Sequence, residues 1–213
     1  MDVSYGYSRY RDTGFVKLKF SAFSHDLMDN EAGYPHKLNL KLMDVQLKYY
    51  PSPENFDFSV AFLSLSALPY FDRFSNKLSF SSMLGYYYDK ENYSGARSKG
   101  LEFKNNFGLT LPLGKMADFS ALIKADAEAN NSSNGYYLGT GALGRLVINW
   151  DTSLKTAIEY HYEVGTDGHY AKSDYLTAAQ SVYLSKNLSL FGNYKYKFRD
   201  DAYIFDAGLS LYF

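Results

Sequence analysis

Apolar and polar residues alternate one by one along nearly the whole chain. The last segment sets Tyr203, Phe205, Ala207, Leu209 and Leu211 on one face and Ile204, Asp206, Gly208 and Ser210 on the other. Strands send successive side chains to opposite faces, so this reads as a strand with one apolar and one largely polar side. Leu190, Tyr194 and Tyr196 likewise oppose Ser189, Asn193, Lys195 and Lys197, and Ile158 and Tyr160 oppose Lys155, Glu159, His161 and Glu163. Phe119, Ala121 and Ile123 oppose Asp118, Ser120, Lys124 and Asp126, while Val16, Leu18 and Phe20 oppose Lys17 and Lys19. Turn-forming stretches such as Asn130–Gly135, Gly165–Gly168 and Asp151–Ser153 separate the runs. The pattern predicts about twelve strands: 2–10, 13–24, 37–50, 56–66, 76–89, 100–112, 116–128, 136–149, 153–164, 172–185, 187–198 and 201–213. In the third, the alternation slips near Met43, which predicts a bulge or an extension of the strand beyond the bilayer.

These strands are longer than the roughly 5–6 residues usual in globular sheets, and they reach the roughly 9–11 that cross a bilayer. Their polar faces carry both signs of charge. Aromatic residues crowd the strand ends at Tyr49-Tyr50, Tyr86-Tyr87-Tyr88, Tyr136-Tyr137, Tyr10 with Phe15, and Trp150. Such girdles are a feature of membrane barrels, in which the apolar set meets lipid and the polar set lines the lumen. A soluble lipocalin-like barrel is the alternative, because alternation alone does not say which face is inside. The fold expected is all-β, an antiparallel up-and-down transmembrane barrel, with residues 1–213 forming a single outer-membrane β-barrel domain.

Composition narrows the classes further. The 213 residues include 22 Tyr, 16 Phe, one Trp and no Cys, with a formal net charge of −1. No apolar run approaches a spanning helix, and near-neutrality without a Lys/Arg cluster argues against nucleic acid as a partner. The lack of Cys excludes a disulfide framework, a thiolate metal site and a cysteine nucleophile within the chain. Nothing at the N-terminus has the form of a signal peptide, so the sequence reads as a mature form or as part of a longer chain.

The final strand ends Asp206-x-Gly208-x-x-Leu211-x-Phe213. It resembles the C-terminal assembly signal of bacterial outer-membrane barrels, which implies the barrel assembly machinery as a partner alongside outer-membrane lipid. An even strand count puts both termini on one side, taken as periplasmic. The connections 25–36 and 67–75 then lie on that side. Within and around them, His25-Asp26-Leu27-Met28-Asp29, Gly33-Tyr34, Lys48-Tyr49-Tyr50, Leu68 and Asp72-Arg73-Phe74 resemble motifs of the C-terminal outer-membrane β-barrel domain of bacterial proteins with an Lnb-type N-terminal periplasmic domain. That N-terminal domain is related to papain-like cysteine enzymes. The resemblance implies a covalently linked or associated periplasmic catalytic domain. The two loops would dock or cap it, with His25, Asp26, Leu27, Asp29, Gly33, Tyr34, Asp72, Arg73 and Phe74 serving structure and contact.

Catalysis within this chain is not expected. His25 beside Asp26 and Asp29 lacks the ligand count of a metal site. His161, between Glu159 and Glu163, has no Ser compelling beside it for a nucleophile. No cofactor or metal is implied. Lys17, Lys19, Asp118, Lys124, Arg145, Glu159, Glu163, Lys195 and Lys197 are expected in the lumen, where mixed signs would cross-link rather than make a one-sign pore. Asp44, Lys48, Glu102, Lys104, Asp126, Lys155 and Asp206 belong to the same set. The sequence therefore reads as a membrane anchor or scaffold, and a gate, for a periplasmic domain. A narrow channel for small solutes and a lipid-modifying barrel enzyme are the alternatives.

Overall fold

A computed structural model describes residues 1–9, 11–25, 38–51, 54–71, 77–91, 97–131, 135–166 and 170–212. Twelve strands follow one another in chain order. They are β1 (Asp2–Ser8), β2 (Thr13–His25), β3 (Leu38–Pro51), β4 (Glu54–Ala67), β5 (Ser79–Glu91) and β6 (Arg97–Leu113), then β7 (Ala117–Asn130), β8 (Tyr136–Asn149), β9 (Leu154–Thr166), β10 (Tyr170–Ser185), β11 (Leu188–Lys197) and β12 (Ala202–Leu211). Each pairs antiparallel with its sequence neighbour, and β1 pairs with β12 from Asp2↔Ser210 to Ser8↔Ile204 to close the barrel. Every strand thereby has two partners and no ladder is left open. Among the described residues no helix is long and apolar enough to cross a membrane.

The alternation decides what each face meets. On β7, Ile123 is 69% exposed while its neighbour Lys124 is 5% exposed. Leu18, Phe20, Leu190, Phe205 and Leu209 also face outward, whereas Lys17, Ser120, Asp126, Glu163, Ser189, Asp206 and Ser210 are buried inside. A protein folded in water would place these sets the other way round. An apolar exterior around an ionic interior is the arrangement of a transmembrane barrel.

Three local departures from regularity have identifiable causes. At the predicted slip, Met43 has φ +51°, and Leu42 and Met43 both face outward. Across the ladder, Phe62 and Leu63 also both face outward, and the β4–β5 register shifts between Ala61 and Leu63. The extra residue of this bulge is Phe62. β5 begins at Ser79 rather than at 76 because the preceding segment takes its place. Tyr70 forms a parallel bridge with Thr110 on β6 and the Phe71 amide donates to the Thr110 carbonyl at 2.8 Å, so β6 is paired below the start of β5. At the closing seam, a Cβ on Gly208 would lie 2.1 Å from the Val3 carbonyl oxygen. Only glycine lets β12 approach β1 there.

Both termini lie at one end, where the Leu211 amide donates to the Met1 carbonyl at 2.7 Å. This terminus end also carries the tight turns after β6, β8 and β10. In the β8–β9 turn, Asp151 Oδ1 accepts from the Ser153 amide at 2.6 Å, the Ser153 hydroxyl at 2.8 Å and the Leu154 amide at 2.8 Å. Those three donors hold its carboxyl below the usual carboxylate range, the Ser153 hydroxyl most strongly.

Two predictions follow from this arrangement. Ile123 stands at the middle of its strand on the lipid side, so Ile123→Arg lowers stability by about 2–4 kcal/mol. Urea unfolding in lipid vesicles measures it, and a soluble barrel would show no such cost. Because the folded-state pKa of Asp151 is depressed, its stabilising contribution is present at neutral pH and is lost as pH falls through that value. Asp151→Ala therefore lowers stability at neutral pH and flattens the loss below about pH 4, read from unfolding midpoints across an acid series.

Candidate functional site

The inward residues form a connected polar interior. Lys17 on β2 is paired with Asp206 on β12, and Asn193 on β11 donates to the same carboxylate at 3.2 Å. Lys19 lies 3.4 Å from Asp44 and 3.8 Å from Asp2, and Ser21 donates to Asp44 at 2.8 Å. On the opposite wall, Lys124 of β7 reaches Glu163 of β9 at 2.5 Å and Asp126 at 3.6 Å. Arg145 of β8 donates to Glu159 at 2.6 Å, and Glu159 also meets His161 Nε2 at 2.9 Å. The His161 ring stacks on Tyr175, centroids 4.3 Å apart, and Lys195 lies 3.9 Å from the centre of the same ring. Burying charge is costly unless each group finds a partner. Here the strand register supplies partners across neighbouring walls.

The aromatic clusters read as a girdle divide between the two faces. Tyr49, Tyr88 and Tyr136 face outward, but Tyr50, Tyr87, Tyr137 and Phe15 point inward and are almost wholly buried. The expectation that these clusters belong to the membrane interface is corrected for the second set. Adjacent residues on a strand must face opposite sides, so a Tyr-Tyr pair sends one ring into the lumen. Each inward tyrosine finds a carboxylate: Tyr50 donates to Asp57 at 2.9 Å, Tyr87 to Glu128 at 2.8 Å and Tyr137 to Glu163 at 2.6 Å. Arg11, from the β1–β2 turn, bonds Asp57 at 2.5 Å with its guanidinium 4.0 Å from the centre of the Tyr50 ring. Glu128 shares parity with Lys124 and Asp126 on β7, whereas Asp57 lies on β4, where no lumen residue was expected. Arg11, in a turn, had no periodic signal to place it.

A cavity of about 450 Å³ opens among these groups, bordered by Arg11, Lys48, Tyr50, Asp57, Lys104, Glu128, Tyr137, Glu163, Tyr175 and Lys195, among others. Leu143 is part of its wall and packs with Leu122 and with Leu68, which follows β4 across the barrel. Nearby, Ser79, Thr110 and Ser120 are linked by hydroxyl hydrogen bonds of 2.8 Å each. The described lumen is thus a walled cavity above an apolar contact that crosses the barrel.

All nine predicted lumen charges, Lys17, Lys19, Asp118, Lys124, Arg145, Glu159, Glu163, Lys195 and Lys197, lie on inward-facing strand positions. Gly208 sits at the closing seam and Leu211 faces outward near the terminus end. Phe213 lies outside the described residues, as do Asp26, Leu27, Asp29, Gly33, Tyr34, Asp72, Arg73 and Phe74. The backbone of His25 ends β2. Among the described residues, no group of three or more metal-ligating side chains comes together. Removing one member of the Lys124–Glu163 pair would leave a buried charge poorly compensated. Glu163→Gln accordingly costs about 3 kcal/mol, and a double-mutant cycle with Lys124→Met, read by unfolding, gives a coupling energy of at least about 1 kcal/mol for the pair.

Comparison with known proteins agrees with the architecture. The NanC porin superposes with a TM-score of 0.61 at 11% identity, covering 100% of this chain and 99% of that one. The KdgM porin gives 0.54 at 12% identity, covering 100% and 98%. The β domain of the Bordetella autotransporter BrkA gives 0.53 at 10% identity, covering 100% and 96%. All three share the fold, and the chain is an outer-membrane type of β-barrel. No curated protein matches it. A family model described as a domain of unknown function, DUF7840, matches residues 1–213, and the chain belongs to that family.

Proposed function

We propose that this barrel is a membrane anchor and scaffold, and a gate, for a periplasmic catalytic domain outside this chain. The observation that carries the reading is the state of the lumen. Ion pairs, tyrosine–carboxylate bonds and the Leu68–Leu122–Leu143 contact tie its walls together. A barrel of this size with its interior so occupied serves better as a rigid support than as an open diffusion pore. Both termini stand at one end, so a domain joined ahead of Met1 would rest there. The connections holding Asp26, Asp29, Asp72 and Arg73 arise at that same end, from the last residues of β2 and β4. The resemblance to barrels that follow an Lnb-type domain supports this arrangement, with the termini periplasmic. The terminal Gly208-x-x-Leu211-x-Phe213 is the segment that the barrel assembly machinery would grip.

The cavity favours a second reading, a narrow channel for small solutes, and the compared porins share its fold. Conductance separates the two. In planar bilayers the purified barrel gives no steady ohmic current, and a stable open level would favour the channel. Docking is tested on the native gene product: Ala substitution at Asp26, Asp29, Asp72 and Arg73 together abolishes co-purification of the barrel with its proteolytically separated periplasmic domain. Unchanged association would remove the docking role.

A further inference from the structure

Lys17 on β2 and Lys48 on β3 stand directly opposite each other in register, both turned to the lumen. Like charges in directly opposed positions repel. Lys17 is neutralised by Asp206. The residue facing Lys48 from its other side is Asp57 on β4, but both oxygens of that carboxylate are engaged elsewhere. Oδ1 takes Arg11 at 2.5 Å and Oδ2 takes the Tyr50 hydroxyl at 2.9 Å. Among the described residues Lys48 has no hydrogen bond and no ion pair. Its ammonium lies 5.3 Å from the centre of the Phe15 ring, a weak contact beside a full counter-charge.

This cation borders the 450 Å³ cavity, whose size falls in the roughly 300–1,000 Å³ range of small-molecule sites. Among the described residues, seven Lys and Arg side chains line that cavity against five carboxylates. Most of these carboxylates already bond to a tyrosine, arginine or lysine, as Asp57, Glu102, Glu128 and Glu163 do. Arg11, Lys104, Lys124, Arg145 and Lys197 each lie against a carboxylate, so Lys48 stands out in this wall as a cation without a hydrogen bond or ion pair among the described residues. An anion in the cavity would give Lys48 a direct counter-charge.

We propose that the lumen cavity is a binding site for a small solute bearing a carboxylate or phosphate group, with Lys48 as its principal cation. The site does not depend on the anchoring role, because binding is read on the barrel alone in detergent micelles.

Inorganic phosphate and gluconate are the two probes, each titrated separately at constant ionic strength by equilibrium dialysis and by the shift in unfolding midpoint. The wild-type barrel binds at least one of them and gains thermal stability from it. Binding of phosphate only identifies a phosphoryl ligand, and binding of gluconate only identifies a carboxylate. Lys48→Met weakens binding at least about tenfold and cancels the thermal shift, whereas Lys48→Arg keeps both. Without ligand, Lys48→Met unfolds no earlier than wild type because the facing like charge is gone, and this verifies that the variant is folded. Lys19→Met, which removes a cation outside the cavity wall, leaves binding intact. The proposal is overturned if neither probe binds wild type, if Lys48→Met binds as tightly as wild type, or if Lys19→Met loses binding equally.

Discussion

A peptide group without a hydrogen-bond partner in hydrocarbon costs several kcal/mol, and this single constraint organises the molecule. It forbids a free strand edge in the bilayer, so the chain must return to its own beginning. The β1–β12 pairing meets that requirement, and Gly208 is there because any side chain would push the two backbones apart. The segment at Tyr70 and Phe71 answers the same demand on a smaller scale by pairing with β6 where β5 has not yet begun. Closure then forces the alternation. Once the wall is a cylinder, each strand owes one face to lipid and the other to an enclosed space.

The enclosed face raises the opposite difficulty. Charges inside a narrow cylinder are shielded from bulk water, and the register must bring acids to bases. It does so across adjacent strands, as with Arg145 and Glu159, and also through turns, as with Arg11 reaching Asp57. Tyrosine hydroxyls complete the carboxylates that lysines and arginines do not saturate. Where this matching fails, at Lys48, the imbalance is local and faces open space. A scaffold needs no such residue, whereas a site for a charged solute does.

Most of the architecture was legible in the sequence because period-two alternation is a direct image of a two-sided wall. Twelve strands, the inward set and the irregularity at Met43 all follow from it. What the pattern did not carry was the destination of consecutive aromatics. Tyr49 and Tyr50 have the same composition signal, yet one meets lipid and the other holds Asp57, and only the phase of the strand tells them apart. Arg11 was invisible for a different reason: a turn residue has no periodicity, and its reach into the lumen depends on side-chain length. The bulge at Phe62 lay hidden because its partner strand, not its own sequence, fixes the count. The terminal signature was read as a signal to other proteins, but the structure gives Gly208 a steric purpose of its own.

The strands are unequal in a systematic way. β1 has 7 residues and β11 and β12 have 10 each, while β6 has 17 and β10 has 16. At about 3.4 Å per residue and a tilt near 45°, β11 rises about 24 Å along the barrel axis, close to an apolar band of about 25 Å, whereas β6 rises about 41 Å. The wall is therefore lopsided. Its tall side must stand beyond the hydrocarbon, where the surplus ladder meets headgroups and water instead of acyl chains.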